Sequence, residues 1–288
     1  MKAWRRAWRW WAAAGGLLLV GCRAPLGAQS DAAPTQAPPA SVWRKAVARA
    51  GHAVHGLREQ TRAELGKGVS DAKFVRGDRT RREVALTFDD GPHPGKTEPL
   101  LAILKEHGVP ATFFVVGKMA ERYAHLVRAE LADGHEVGNH TYHHVNLTRV
   151  KPHTVAEEIA ACDEVLKGIS GQSAHLFRPP GGQYSNSVAE IARRVGYTTI
   201  LWTADPGDYA SPGGDVILHR TLHDVANGGI ILLHDGIDET LAILPRLIRY
   251  LHAQGYRFVT TSELMAGVRP PTATSAPAPA PARPPGSG

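Results

Sequence analysis

The chain has 288 residues, 43% of them hydrophobic, enough for one large domain or two small ones with a real core. Its formal net charge is +6, yet residues 1–80 carry 14 Lys and Arg against 5 Asp and Glu, and residues 81–288 carry 19 against 22. The basic excess is therefore an N-terminal arm, which suits attraction to anionic lipid and argues against nucleic acid as a partner.

The N-terminus places Lys2, Arg5, Arg6 and Arg9 before an apolar run from Trp10 to Val20. That run is 11 residues long, too short for a membrane-spanning helix and in proportion for a secretory signal. It ends in Leu19-Val20-Gly21-Cys22, which resembles the bacterial lipoprotein signal box. The resemblance implies a signal peptide over 1–21, a lipid on Cys22, and a chain anchored to a membrane of the bacterial cell envelope. Arg23 in the next position favours the outer membrane if the cell is Gram-negative. The alternative is a plain secreted protein cut further on, for instance after Ala28. With Cys22 lipidated, Cys162 has no partner, so no disulfide framework exists, and Cys162 reads as a small core residue.

Residues 22–41 are rich in Ala, Pro, Gln and Ser and read as a flexible tether. Residues 42–79 form a basic helical arm, and over 42–66 Trp43, Val47, Ala50, Val54 and Leu57 share a helical face, a helix lying on the domain or on the membrane. From about residue 80 to 266 short apolar strands alternate with helical stretches. Strands are predicted over 84–88, 112–116, 135–139, 175–178, 198–202, 229–233 and 257–260. Helices are predicted near 97–107, 119–133, 154–168, 186–195, 215–226 and 239–253. This alternation argues for an α/β fold with about seven parallel strands, open or closed into a barrel. Residues 267–288 form a Pro- and Ala-rich tail that cannot build a core.

Five polar clusters stand at the ends of different predicted strands. The first is Thr87-Phe88-Asp89-Asp90-Gly91-Pro92, two carboxylates after a buried strand that Gly-Pro then breaks. Two like charges that close are costly unless a cation joins them or one is protonated. Alone, the stretch also reads as an ordinary turn. The second is Asn139-His140-Thr141-Tyr142-His143-His144. His140 and His144 have the i, i+4 spacing that puts two imidazoles on one face of a helical turn, with His143 a rival at i+3. With one carboxylate from Asp89-Asp90 they give three metal ligands and leave a position for water.

The third cluster, Arg178-Pro179-Pro180-Gly181-Gly182, offers a guanidinium to hold a carboxylate and glycines that let backbone N–H groups approach a substrate oxygen. The fourth is Trp202-Thr203-Ala204-Asp205-Pro206-Gly207-Asp208-Tyr209 and the fifth is Leu232-Leu233-His234-Asp235. His234 follows a wholly apolar strand, and an Asp of the fourth cluster could orient it as a general acid. One ionisable residue at one strand end is an ordinary structural feature. Five such clusters in one sheet point to a site.

Together these motifs resemble the polysaccharide deacetylases with the NodB homology domain, carbohydrate esterase family 4. The resemblance implies a distorted (β/α) barrel with one divalent metal, zinc or cobalt, held by Asp90, His140 and His144. It implies Asp89 as general base held by Arg178, and His234 as general acid oriented by Asp208, with Asp205 the competing partner. Gly181 would stabilise the oxyanion, and Leu232 with Trp202 or Tyr209 would line the pocket for the acetyl methyl. Two departures bear on substrate: Tyr209 stands where many members have Trp, and Gly181 where others have an aromatic residue or Arg. The expected partner is an acetylated polysaccharide: peptidoglycan, a chitin-like polymer or poly-N-acetylglucosamine. An O-deacetylase of the acetylxylan type and a catalytically silent carbohydrate-binding module are the alternatives.

Overall fold

Strand β2, Glu83–Asp89, is buried at every position because neighbours occupy both of its edges. Apolar, β-branched and aromatic residues suit such a strand. The computed structural model describes residues 73–268, and β2 is its centre. The chain runs β1 (Lys73–Phe74), β2, α1 (Thr97–Glu106), β3 (Thr112–Val115), α2 (Gly117–Arg122), α3 (Ala124–Ala132), β4 (Glu136–Asn139) and α4 (Pro152–Ser170). It continues with β5 (Leu176–Phe177), α5 (Asn186–Arg194), β6 (Thr198–Ile200), α6 (Gly214–Asp224), β7 (Gly229–His234), α7 (Asp238–Ala253), β8 (Arg257–Phe258) and α8 (Thr261–Ala266).

All strand pairs are parallel, in the order β1-β6-β5-β4-β3-β2-β7, with β8 beside the start of β2. A single bridge, Ala204 to Ile231, joins the chain after β6 to β7. The sheet therefore curls back on itself as a distorted barrel, closed at one point. The seven predicted strands are all present. β1 was not expected: it lies in the stretch assigned to the basic arm, so the sheet starts at Lys73 rather than near residue 80. Two residues are too few to carry a hydrophobic period. The helix predicted over 119–133 is two helices, because Tyr123 leaves helical dihedrals at φ −124° and ψ 44°. The expected lipid-bearing Cys22, the tether, most of the basic arm and most of the Pro- and Ala-rich tail lie outside the described residues.

Pleating sorts the side chains into two layers. Val84, Leu86 and Phe88 of β2 and Ile231 and Leu233 of β7 face outward into the main core. There α7 covers them with Ile243, Leu244, Leu247, Ile248 and Leu251, spaced at three and four as a helix on a sheet requires. Ala85, Phe114, Leu176, Ile200 and Ile230 face inward and fill the barrel. Cys162 is fully buried in α4 and forms no disulfide among the described residues, as a core residue would. The inward positions one and two pleats above this floor are Thr87 and Asp89 on β2 and Leu232 and His234 on β7. The barrel's C-terminal mouth is thus where inward-facing ionisable groups collect.

Candidate active site

Asp89 is the last residue of β2 and points into the barrel, 3% exposed. Asp90 follows with φ 75°, a left-handed turn that carries its carboxylate back toward the mouth. The two adjacent carboxylates thus converge, as the turn after the strand suggested. Gly138 on β4 leaves room for the ring of Phe114, whose contact at 2.7 Å a Cβ there would not survive. That ring in turn floors Arg178, whose guanidinium lies 4.1 Å from the ring centroid.

Arg178 follows β5 and is fully buried. One Nη1 donates to Asp89 Oδ1 at 2.7 Å and to Thr87 Oγ1 at 2.7 Å. Burial favours the neutral guanidinium and pulls its pKa down, and the Asp89 carboxylate opposes that fall. The pair fixes one oxygen of Asp89 and leaves Oδ2 turned toward His140 Nε2, 3.7 Å away.

His140 and His144 converge with ring centroids 5.0 Å apart, and their Nε2 atoms lie 3.4 and 3.0 Å from Asp90 Oδ1. The donor atoms of Asp90, His140 and His144 all fall within 4.8 Å of one another. The expected helical turn is absent. Thr141 and His144 take left-handed dihedrals at φ 66° and 59°, and the loop is irregular. Its N–H groups bond to side chains instead of carbonyls four residues back: Thr141 N to Asn139 Oδ1, Tyr142 N and His143 N to Glu158 Oε2, His144 N to Thr141 Oγ1. His143, the rival ligand, donates from Nδ1 to Glu158 Oε1 at 2.8 Å and stays outside the cluster.

Three observations fit this cluster to a divalent cation. Asp90 Oδ1 is buried and makes no well-formed hydrogen bond, although the Nε2 atoms of both imidazoles face it, so three donor atoms converge on one small space. His140 Nδ1 donates to the Arg178 carbonyl at 2.8 Å, which leaves Nε2 as the free lone pair aimed at Asp90. Two imidazoles and one carboxylate are a donor set suited to such an ion. In the bare cluster, burial opposes charge on Asp90, but His140 and His144 hold its carboxyl well below the ordinary range. Burial likewise opposes a charged His144, and Asp90 outweighs it and raises the imidazole.

His234 ends β7 and is the direct register partner of Asp89 across the barrel wall. Its Nδ1 donates to Asp208 Oδ1 at 2.7 Å, and its backbone N–H donates to Asp208 Oδ2 at 2.8 Å. Asp208 is fully buried and also accepts from Thr240 Oγ1 and the Tyr209 N–H. Asp205 instead accepts from Gly207 N, so Asp208 is the partner of His234. Burial works against the imidazolium, yet Asp208, Asp89 and Asp90 together raise His234 to about 9.

The polysaccharide deacetylase family model matches residues 76–200. A peptidoglycan-N-acetylglucosamine deacetylase of Bacillus cereus is 38% identical over 187 residues, 63% of this chain and 87% of the relative. A chitooligosaccharide deacetylase of Sinorhizobium fredii is also 38% identical over 187 residues, 60% of this chain and 87% of the relative. This chain belongs to the polysaccharide deacetylases.

Solved structures agree with that membership. A peptidoglycan N-acetylglucosamine deacetylase superposes with a TM-score of 0.65 at 32% identity, over 67% of this chain and 92% of the other. A carbohydrate esterase family 4 pseudoenzyme from Bacillus anthracis superposes at 0.66 with 29% identity, over 70% and 71%. The fold alone therefore does not deliver activity; the residues at the mouth decide it.

The remaining predicted positions of this deacetylase surround that mouth. Gly181 is exposed with φ 60°, and its N–H has no partner among the described residues. Trp202 lies on Gly182 and 5.5 Å over the Arg178 guanidinium. Tyr209 is 57% exposed and meets the His234 ring edge-on at 5.4 Å. Leu232 is buried one pleat below His234 on the same face. Thr87, Asn139, Glu158 and Thr240 were not singled out as contributors. Thr87 interrupts an apolar strand, a legible signal; Glu158 sits mid-helix among other Glu residues and carries none.

Proposed function

We propose that this polysaccharide deacetylase removes N-acetyl groups from an N-acetylhexosamine glycan of the bacterial envelope, with peptidoglycan the first substrate to test. The observation that carries the reading is the juxtaposition of Asp89, pinned by Arg178, with His234, pinned by Asp208, beside the Asp90–His140–His144 cluster. A binding module has no use for an oriented base and an oriented acid.

Asp89 Oδ2 would accept a proton from the attacking water while Arg178 binds Oδ1 and holds the carboxylate in place. The Gly181 N–H would bind the carbonyl oxygen as negative charge develops, a contribution of about 3 kcal/mol per donor. His234 Nε2 gives its proton to the leaving nitrogen, since an unprotonated amine anion leaves poorly; such proton transfer is worth about 10² to 10⁴ in rate. The C–N bond breaks, acetate departs and the glucosamine amine remains. A divalent cation on Asp90, His140 and His144, zinc or cobalt by donor type, would supply Lewis acidity and a more acidic water. Leu232, Trp202 and Tyr209 would bound the space for the acetyl methyl.

The Leu19-Val20-Gly21-Cys22 box supports a lipid anchor at Cys22 that would hold the enzyme beside an envelope glycan. No described helix is long and apolar enough to cross a membrane. If Cys22→Ser leaves the protein in the membrane fraction at unchanged gel mobility, the anchor is wrong.

The reaction is tested by acetate release from N-acetylglucosamine oligomers, purified peptidoglycan and acetylated xylan. The enzyme is assayed as wild type and Asp89→Asn, after chelation and after adding Zn²⁺ or Co²⁺. Metal-dependent release from the N-acetylated substrates, lost in Asp89→Asn, is the expected result. Release from xylan alone would establish the O-deacetylase instead. Release from none of the three, with no metal bound, would leave the binding module.

A further inference from the structure

The loop from His140 to His144 holds two of the three proposed metal ligands, yet it belongs to no helix or strand. Isolated, such a loop would sample many conformations, because two of its residues occupy the sparsely populated left-handed region. Something outside it must hold it. The partners lie on three elements. The α2 N-terminus donates Gly117 N and Lys118 N to the Thr141 and Tyr142 carbonyls at 2.8 and 3.0 Å. Asn139 on β4 accepts from Thr141 N and donates to the Ile159 carbonyl. Glu158 of α4 makes three contacts at once.

Glu158 is 5% exposed, and its carboxylate lies directly against the loop midpoint. Oε2 accepts from Tyr142 N at 3.1 Å and His143 N at 2.8 Å, and Oε1 accepts from His143 Nδ1 at 2.8 Å. A buried carboxylate costs free energy unless its acceptors are filled, and here the loop fills them. The side chains then divide by direction. Tyr142 goes inward, 1% exposed, with its hydroxyl donating to Glu121 Oε2 at 2.5 Å. His143 goes to Glu158, and His140 and His144 are left to face Asp90.

We propose that Glu158 is a positioning residue for the metal centre: a two-oxygen clamp that sets the angle between His140 and His144 without touching the ion. This rests on the metal-site reading given above. Residues that orient metal ligands typically change affinity by about 10- to 100-fold when removed. The acceptor geometry matters more than the charge here, since two of the three donors are backbone N–H groups. Glu158→Gln keeps an acceptor oxygen at the same reach. Glu158→Asp keeps the charge but withdraws it by one methylene. Glu158→Ala removes both.

The test is titration of the metal-free full-length chain with Co²⁺, read by its visible absorption, for wild type, Glu158→Gln, Glu158→Asp, Glu158→Ala and His140→Ala. Circular dichroism reports folding of each. The expected order has Glu158→Gln within a few-fold of wild type, Glu158→Asp and Glu158→Ala about 10- to 100-fold weaker with an altered cobalt spectrum. His140→Ala loses the site. If Glu158→Ala does not fold, the contrast between Gln and Asp carries the test. Folded Asp and Ala variants that bind Co²⁺ like wild type would overturn the clamp alone. A Gln variant as weak as Asp would also overturn it, because charge would then be the operative property. A wild-type chain that binds no Co²⁺ would overturn the metal centre and the clamp together.

Discussion

Asp89 and His234 are register partners on adjacent parallel strands, so the proposed base and acid stand side by side on the barrel's inner face. Each is held by a buried partner from elsewhere in the chain: Arg178 for the carboxylate and Asp208 for the imidazole. Neither strand can slip by one residue without turning its own group out of the barrel and breaking the pairing. Asp89→Asn is therefore expected to keep the fold and the metal while losing the base, with turnover down about 10² to 10⁴. Acetate release measured alongside metal stoichiometry checks this. Loss of the metal together with the rate would mean that Asp89 is a ligand instead.

Arg178 is a fully buried cation, and Asp89 is the carboxylate it is paired with. Breaking a buried pair from one side strands the other charge, at about 3–5 kcal/mol. Arg178→Met should destabilise the domain by that amount in urea unfolding. Arg178→Met with Asp89→Asn should recover part of it, because the stranded carboxylate is gone. Strict additivity of the two single losses would show that the ion pair does not couple them.

The barrel was legible because buried parallel strands read as apolar runs, and β2, β4 and β7 end on Asp89, Asn139 and His234 at the mouth, with Arg178 directly after β5. Strand-end position marked the five polar clusters, and the family resemblance singled out Asp90, His140 and His144 and the pairs Asp89–Arg178 and His234–Asp208, which the structure brings together. The conformation between His140 and His144 was not. Their spacing fits a helical turn, but the loop's N–H groups are captured by Asn139, Glu158 and Thr141, side chains whose proximity exists only after folding. Likewise β1 is two residues long, and only its pairing with β6 makes it a strand.

The pH dependence follows from His234. Its pKa is raised to about 9 because Asp208, with Asp89 and Asp90, outweighs the burial that would lower it. A group with a raised pKa stays protonated through neutral pH, and a general acid works only while protonated. Turnover should therefore hold through neutral pH and fall as pH rises through the His234 pKa. In Asp208→Asn the burial remains and the leading raising interaction is lost, so the falling limb moves to lower pH. A pH–rate profile of both proteins reads the shift. An unmoved alkaline limb would assign it to another group.

Gly181 and Gly182 both have left-handed dihedrals, φ 60° and 65°, yet their surroundings differ. A Cβ on Gly181 meets nothing within 4 Å, whereas one on Gly182 would run into the Trp202 ring at Cη2. Alanine at either position bears the left-handed penalty of about 1–2 kcal/mol. Only Gly182→Ala must also push the Trp202 ring off the Arg178 guanidinium it covers, which adds an overpacking cost of about 1–3 kcal/mol. Urea unfolding of the two variants should rank Gly182→Ala well below Gly181→Ala. Equal losses would mean that Trp202 moves freely, so that the ring is not a fixed wall of the acetyl pocket.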